Sequence, residues 1–231
     1  RGLYKMDLES KNLKQFSVDE GLNYFSVQSI YEDREQNIWV GTELGLNLFT
    51  GEVFKLYNED DGLSNNIVWS VCNSAQGGLW VGTNAGLDYF NGKTFSQIPE
   101  SRELILLTVF EDSRGLLWAG TPGEGLVKYD RAANRLTSLK DQKILPDQTV
   151  YSITEDNEGY LWIGTKKGAV RYHPEKGESK VYTTKDGLGG NNIYRIFMDS
   201  KHRIWFAALG GDLTVYSNGK FTTFGNEDGI N

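Results

Sequence analysis

The sequence is poor in cysteine, proline and histidine and has no long hydrophobic run. One cysteine, Cys72, in 231 residues excludes an internal disulfide framework. With no second Cys or paired His nearby at a ligand spacing, it also offers no metal site. The longest apolar stretch, Leu104 to Phe110, is interrupted by Thr108 and falls far short of the ~20 residues a membrane-crossing helix needs. Lys and Arg number 24 against 31 Asp and Glu, a net charge of −7, so the broad basic field that grips phosphate backbones is missing and nucleic acid is not an expected partner. No segment sustains a 3.6-residue apolar period, so helices should be scarce. What is present is 27 Gly against 4 Pro, with 13% aromatics. Tight glycine turns between aromatic and β-branched runs describe an all-β chain.

The glycines and tryptophans recur. Trp39, Trp80, Trp118, Trp162 and Trp205 are spaced by 41, 38, 44 and 43 residues, and four of them open the strings W-V-G-T (39–42), W-V-G-T (80–83), W-A-G-T (118–121) and W-I-G-T (162–165). The fifth string is W-F-A-A (205–208). A glycine follows in four copies (Gly45, Gly86, Gly125, Gly168), then an aromatic (Phe49, Phe90, Tyr129, Tyr172), with Gly211 and Tyr216 as a looser fifth version. Upstream of the tryptophans lie alternating runs such as Val27 to Ile30, Val68 to Val71 and Val150 to Ile153. Acidic turns follow at Glu32-Asp33, Glu111-Asp112 and Glu155-Asp156, and D/E-G-L separates copies at 20–22, 61–63 and 186–188. Each unit reads as four short strands. Four antiparallel strands every ~42 residues are the mark of a β-propeller blade.

The repeat predicts full blades over 19–60, 61–99, 100–143, 144–185 and 186–227, an outer half-blade over 1–18, beginning at Arg1 in third-strand register, and the entry to another blade at 228–231, ending on Asn231. The expectation is five full blades plus a half-blade, a piece of a larger six- or seven-bladed propeller. Asn91-Gly92 and Asn218-Gly219 predict two-residue hairpins, and Gly115 and Gly159 predict left-handed positions in the acidic turns. The five repeated tryptophans are assigned to the structural core, since an element present in every blade marks no single site.

W-[VAI]-G-T-x-x-G-L followed by an aromatic, with D-G-L between copies, resembles the two-component regulator propeller repeat, and the resemblance covers essentially the whole chain. It implies the periplasmic sensor region of a bacterial hybrid two-component system. Such a region commonly holds two seven-bladed propellers, followed by an immunoglobulin-like domain, a membrane helix, a histidine kinase, a receiver and a DNA-binding regulator. Oligosaccharides from dietary or host polysaccharides are the usual signals, and self-association is expected. No kinase H-box, nucleotide-binding glycine motif or receiver pattern occurs in the 231 residues. Catalytic residues, a cofactor and a metal are therefore not expected here, and the membrane is reached only through segments outside this chain.

Departures from the repeat point to function, because a ligand breaks blade symmetry. In the V-x-S-I strand, innermost in a propeller, the x column holds Gln28, Trp69, Leu107, Tyr151 and Tyr194, and the next column holds Ser29, Ser70, Thr108, Ser152 and then Arg195. The loops before it carry Asn23-Tyr24-Phe25, Asn65-Asn66 and Asn191-Asn192. Aromatic faces that stack on sugar rings, with amides and a guanidinium for hydroxyls or a carboxylate, suit a carbohydrate pocket. Trp69, Tyr151, Tyr194, Arg195, Asn65, Asn66, Asn191 and Asn192 are thus the candidate ligand-binding residues, against the alternative that the aromatics only fill space between blades. The Ala207-Ala208 copy is a further irregularity. His173 and His202 read as solvated turn residues, and the acidic turns as capping acceptors rather than the paired carboxylates of a glycosidase. An interaction scaffold without its own ligand and, less favoured, a propeller lyase or glycosidase are the alternatives.

Overall fold

The structure, a computed structural model, describes residues 2–51 and 53–230. Arg1 and Asn231, to which the predicted half-blade start and further-blade entry extend, lie outside the described residues. The chain forms two compact units, residues 1–106 and 107–231. The first unit begins with a two-stranded sheet, β1 (Leu3–Met6) and β2 (Leu13–Phe16). Blade 1 follows as β3 (Val27–Glu32), β4 (Ile38–Thr42), β5 (Gly45–Phe49) and β6 (Phe54–Tyr57), and blade 2 as β7 (Val68–Asn73), β8 (Leu79–Thr83), β9 (Gly86–Phe90) and β10 (Phe95–Gln97).

The second unit holds blade 3, β11 (Thr108–Glu111), β12 (Leu117–Gly120), β13 (Leu126–Asp130) and β14 (Arg135–Ser138). Blade 4 is β15 (Val150–Glu155), β16 (Leu161–Thr165), β17 (Gly168–His173) and β18 (Glu178–Tyr182), and blade 5 is β19 (Ile193–Met198), β20 (Ile204–Ala208), β21 (Leu213–Ser217) and β22 (Lys220–Phe224). Each blade is antiparallel with strands paired in sequence order, the fold is an all-β propeller, and the only helical elements among the described residues are 3₁₀ turns.

The core lies between blades. Trp39, Leu46, Val68, Val71 and Val81 form one cluster in the first unit, while Trp118, Val150, Ile153 and Ile163, then Trp162, Ile193, Ile196 and Phe206, form two in the second. Within each unit a blade packs an apolar face on its neighbour, and that burial holds the two sheets together. Trp39, Trp118 and Trp162 sit in these seams, whereas Trp205, assigned to the core from sequence, is only half-buried; a buried indole needs an acceptor. The acidic turn supplies it: the indole nitrogens of Trp39, Trp118, Trp162 and Trp205 donate to a carboxylate oxygen of Asp33, Asp112, Asp156 and Asp199 at 2.7 to 2.9 Å. The other oxygen of each aspartate accepts backbone N–H groups of its own turn, as the capping reading requires. In blade 2 the turn position is Ser74, whose hydroxyl accepts from Gln76.

The glycine after each tryptophan is set by close approach. A Cβ at Gly41 would stand 2.9 Å from the Val68 carbonyl oxygen, and one at Gly164 would stand 2.7 Å from that of Ile193. The next blade's first strand therefore passes against bare backbone. Ala207 occupies the same column in blade 5 and is exposed.

Two local expectations need correction. Asn91-Gly92 is not a two-residue hairpin. Phe90 pairs with Phe95, leaving a four-residue loop in which the Asn91 side chain accepts from Lys93 and Thr94, so the Asx bonds supply a wider turn. Asn218-Gly219 does form the tight hairpin, with φ of 51° and 78° between the paired Ser217 and Lys220. His173 is not solvated. It ends β17, is buried, lies edge-on to the Tyr160 ring at 4.8 Å and accepts from the Lys176 N–H, because the strand runs further than its Pro174 suggested. His202 is an exposed left-handed turn residue as expected.

Candidate ligand-binding site

The x column has a structural cause that sequence alone did not disclose. In β3, β7, β15 and β19 the register against the next strand shifts between the residues flanking Gln28, Trp69, Tyr151 and Tyr194. Each of these four is the extra residue of a β-bulge, a device that re-aims one side chain out of the ladder. Leu107 precedes β11 without such a shift, its N–H bonded to the Gly120 carbonyl.

The four bulge side chains go two ways. In blades 1 and 2 each is tied to its own blade, Gln28 donating to Glu43 at 3.0 Å and the Trp69 indole to Asn84 at 2.6 Å. In blades 4 and 5 the bulge residues meet each other. The Tyr151 and Tyr194 ring centroids are 5.2 Å apart, and the Arg195 guanidinium lies 4.8 Å from the Tyr194 ring centre while donating to the Tyr151 and Tyr194 carbonyls, both at 3.3 Å. Arg195 stands where the other blades have Ser or Thr. In blade 4 that serine, Ser152, is buried and bridges the two strands by accepting from the Ile196 N–H at 3.0 Å. The strands carrying both tyrosines are thereby fixed side by side, and Tyr194 stays exposed.

The asparagines divide likewise. Asn65 caps the Ile67 N–H, and Asn66 and Asn191 accept from Glu59 and Thr184 across their D-G-L turns. Their side-chain oxygens hold the loops in place. The Asn192 Oδ1 is buried with no hydrogen-bond partner among the described residues, a costly state for an amide oxygen. Asn65, Asn66 and Trp69 belong to the first unit, and Asn191, Asn192, Tyr151, Tyr194 and Arg195 to the second. The tyrosine pair and Arg195 are the candidates the structure brings together. Sequence reasoning missed the repeated Asp-to-Trp bond, although its constant six-residue spacing was there to be read.

The family model described as "Two component regulator propeller" matches residues 21–43, 62–85, 144–167 and 187–210. Four of the five blades thus match two component regulator propeller repeats. The model passes over the copy at Trp118, which lacks the D-G-L entry and has one extra residue between Thr121 and Gly125. Over 104 residues the repeats are 31% identical to a protein named Histidine kinase P4 from Formosa agariphila, covering 41% of this chain and 8% of that one. In structure they resemble the extracellular domain described as that of the hybrid two component system BT4673 from B. thetaiotaomicron, with 20% identity, a TM-score of 0.56, and coverage of 96% of this chain and 38% of that one. They also resemble virginiamycin B lyase from Staphylococcus aureus solved with quinupristin, with 14% identity, a TM-score of 0.74, and coverage of 96% and 76%. At these identities the structures share the propeller fold. The repeats span well under half the length of the histidine kinase and of the sensor domain. No helix among the described residues is long and apolar enough to cross a membrane.

Proposed function

We propose that the chain is the periplasmic, ligand-sensing propeller of a hybrid two-component sensor histidine kinase. It reads an oligosaccharide and signals across the membrane to control polysaccharide-utilisation genes. The observation that carries the ligand reading is the break in blade symmetry at Tyr151, Tyr194 and Arg195. Two bulges that elsewhere bond within their own blade here present paired aromatic faces beside a cation, next to a loop with an orphaned amide oxygen. Aromatic rings suit the apolar face of a sugar, and the guanidinium and amide suit its hydroxyls. The piece is read as a sensor rather than an enzyme, since these residues include no nucleophile paired with a base. Ligand binding would shift the population between signalling states, and the rest of the receptor would transmit the shift.

Calorimetric titration of the full sensor with an oligosaccharide panel tests this reading. Binding that weakens in Tyr194→Ala and Arg195→Ala supports it, and binding unchanged in both sinks the site assignment. A dimerisation scaffold is the second reading, favoured by Phe197 and Leu209 of blade 5, 65% and 67% exposed. It predicts self-association with no thermal stabilisation by any sugar.

A further inference from the structure

Adjacent blades leave a groove where the acidic turn and third strand of one face the outer hairpin of the next, between blades 1 and 2 in the first unit and between blades 3 and 4 in the second. Between blades 1 and 2 it measures about 340 Å³, with Asp33, Glu35, Trp39, Leu48 and Phe90 among its lining. Between blades 3 and 4 it measures about 610 Å³, with Arg114, Trp118, Lys128, Arg135, Tyr172 and Lys176 among its lining. The frame is the same, Trp39 and Phe90 in one matching Trp118 and Tyr172 in the other by strand register. The charges are redistributed. Glu35 is replaced by Arg114 at the same turn position, Leu48 by Lys128 opposite the tryptophan, and Val53, just before β6, by Arg135, while Lys55 gives way to Thr137.

We propose that the groove between blades 3 and 4 is a binding site for an acidic oligosaccharide, held through its carboxylate or sulfate groups. Arg114 is anchored by Asp112 at 2.7 Å, and Glu175 stands 3.5 Å from its other amino group. Lys176 lies 5.5 Å from the Tyr160 ring centre. Lys128 and Arg135 have no carboxylate within ion-pairing distance among the described residues. Asp130 also lines the groove, with Oδ1 taken by the Ala133 N–H. Lys128, Asp130, Arg135 and Thr137 share a sheet face, since Lys128 pairs with Thr137 and Asp130 with Arg135, so two cations, a hydroxyl and one carboxylate point into one space. The aromatic floor is covered, Trp118 at 1% and Tyr172 at 4% exposure, which favours a polar occupant over an apolar ring. The volume suits a ligand larger than one inorganic anion. Symmetry breaking falls on blade 3, the copy the family model passes over. The sugar class rests on the sensor reading above, whereas the charge of the ligand rests on this groove alone.

The test is calorimetric titration of the protein with a disulfated disaccharide, a diuronate and a neutral disaccharide, for wild type and for the double variant Lys128→Leu, Arg135→Val. That variant installs the residues blade 1 carries at the same register, so the frame is known to accept them. Binding of either anion that weakens by about tenfold or more in the double variant and with added salt supports the proposal, and the arm that binds names the anionic group. Neutral and charged disaccharides bound alike, anion binding untouched by the double variant, or no heat with either anion overturns it. So does loss of anion binding in Tyr194→Ala with the double variant unaffected, which would move the anion to the first-strand site. Failure of Tyr194→Ala and Arg195→Ala to alter neutral-sugar binding sinks only the earlier reading.

Discussion

Asp88 is the most informative single perturbation. It lies on β9 with no exposed surface, and burial pushes its carboxyl above the usual carboxylate range although Ser64 donates to it. Oδ2 accepts from the Ser64 N–H at 3.1 Å and from the Ser64 hydroxyl, while Oδ1 has no partner among the described residues. Blade 1 shows what this column wants. Asn47 accepts the Asn23 N–H at 3.3 Å, as Asp88 does that of Ser64, and its amide also donates to the Val40 carbonyl at 3.2 Å. Val40 is the register partner of Asn47, and Val81 is that of Asp88. Asp88→Asn therefore keeps both Ser64 bonds, places a donor toward Val81 and removes an acid that must stay protonated or be buried charged.

One buried, unsatisfied polar group costs about 1–3 kcal/mol, so Asn should stabilise the protein by about that much at neutral pH. For a chain of this size each kcal/mol moves Tm by about 2–4 °C. The gain depends on pH with a definite sign. A carboxyl whose folded pKa is raised contributes its full stability below its unfolded value of about 3.9, and that contribution is lost as pH rises through the folded pKa. The Asn variant has no such loss. The difference in Tm between variant and wild type, followed by near-UV circular dichroism across pH 4 to 8, should start small and grow. A destabilised variant, or a gain equal at both ends of the range, would refute the reasoning.

The remaining predictions concern the seams and the turns. Trp162, fully buried between blades 4 and 5, should cost about 3–5 kcal/mol as Trp162→Ala, and Trp205→Ala less because Trp205 is only half-buried, as denaturant midpoints will show. Gly164→Ala would drive a Cβ to 2.7 Å from the Ile193 carbonyl, whereas Ala207→Gly meets no such contact. The first should lower Tm by several degrees, and the second should fall within about 1 kcal/mol. The Asp199 carboxyl is held well below the usual range by the Trp205 indole and the Arg203 N–H, against burial. In Asp33 burial pushes the carboxyl up, but the Trp39 indole and Asn37 outweigh it. Depressed carboxyls stabilise above their unfolded pKa, and that stabilisation goes as pH falls through their folded values. Acid unfolding should therefore be displaced upward in pH in Asp33→Ala, and an unchanged acid midpoint would count against the Asp-to-Trp bond.

Periodicity settled the architecture because a blade is a local object. Its four strands are consecutive, its turns are short, and a tryptophan or glycine required in every seam must recur in sequence with the blade. That is why the W-x-G-T strings, the capping aspartates and the scarcity of helices were all legible before any coordinate. The sites lay beyond that reach, since each depends on how one blade faces its neighbour. A bulge shows as an ordinary residue in a strand, so nothing in Trp69, Tyr151 or Tyr194 announced that the first turns to Asn84 within its own blade while the other two meet each other across a seam. Nor did Lys128 and Arg135, seven residues apart, announce one shared face. His173 looked solvated and is buried. Sequence by itself determined the repeat, the blade and its covalent order. Tertiary packing alone decided which side chains the seams bury, which the bulges turn outward, and where like frames carry different charges.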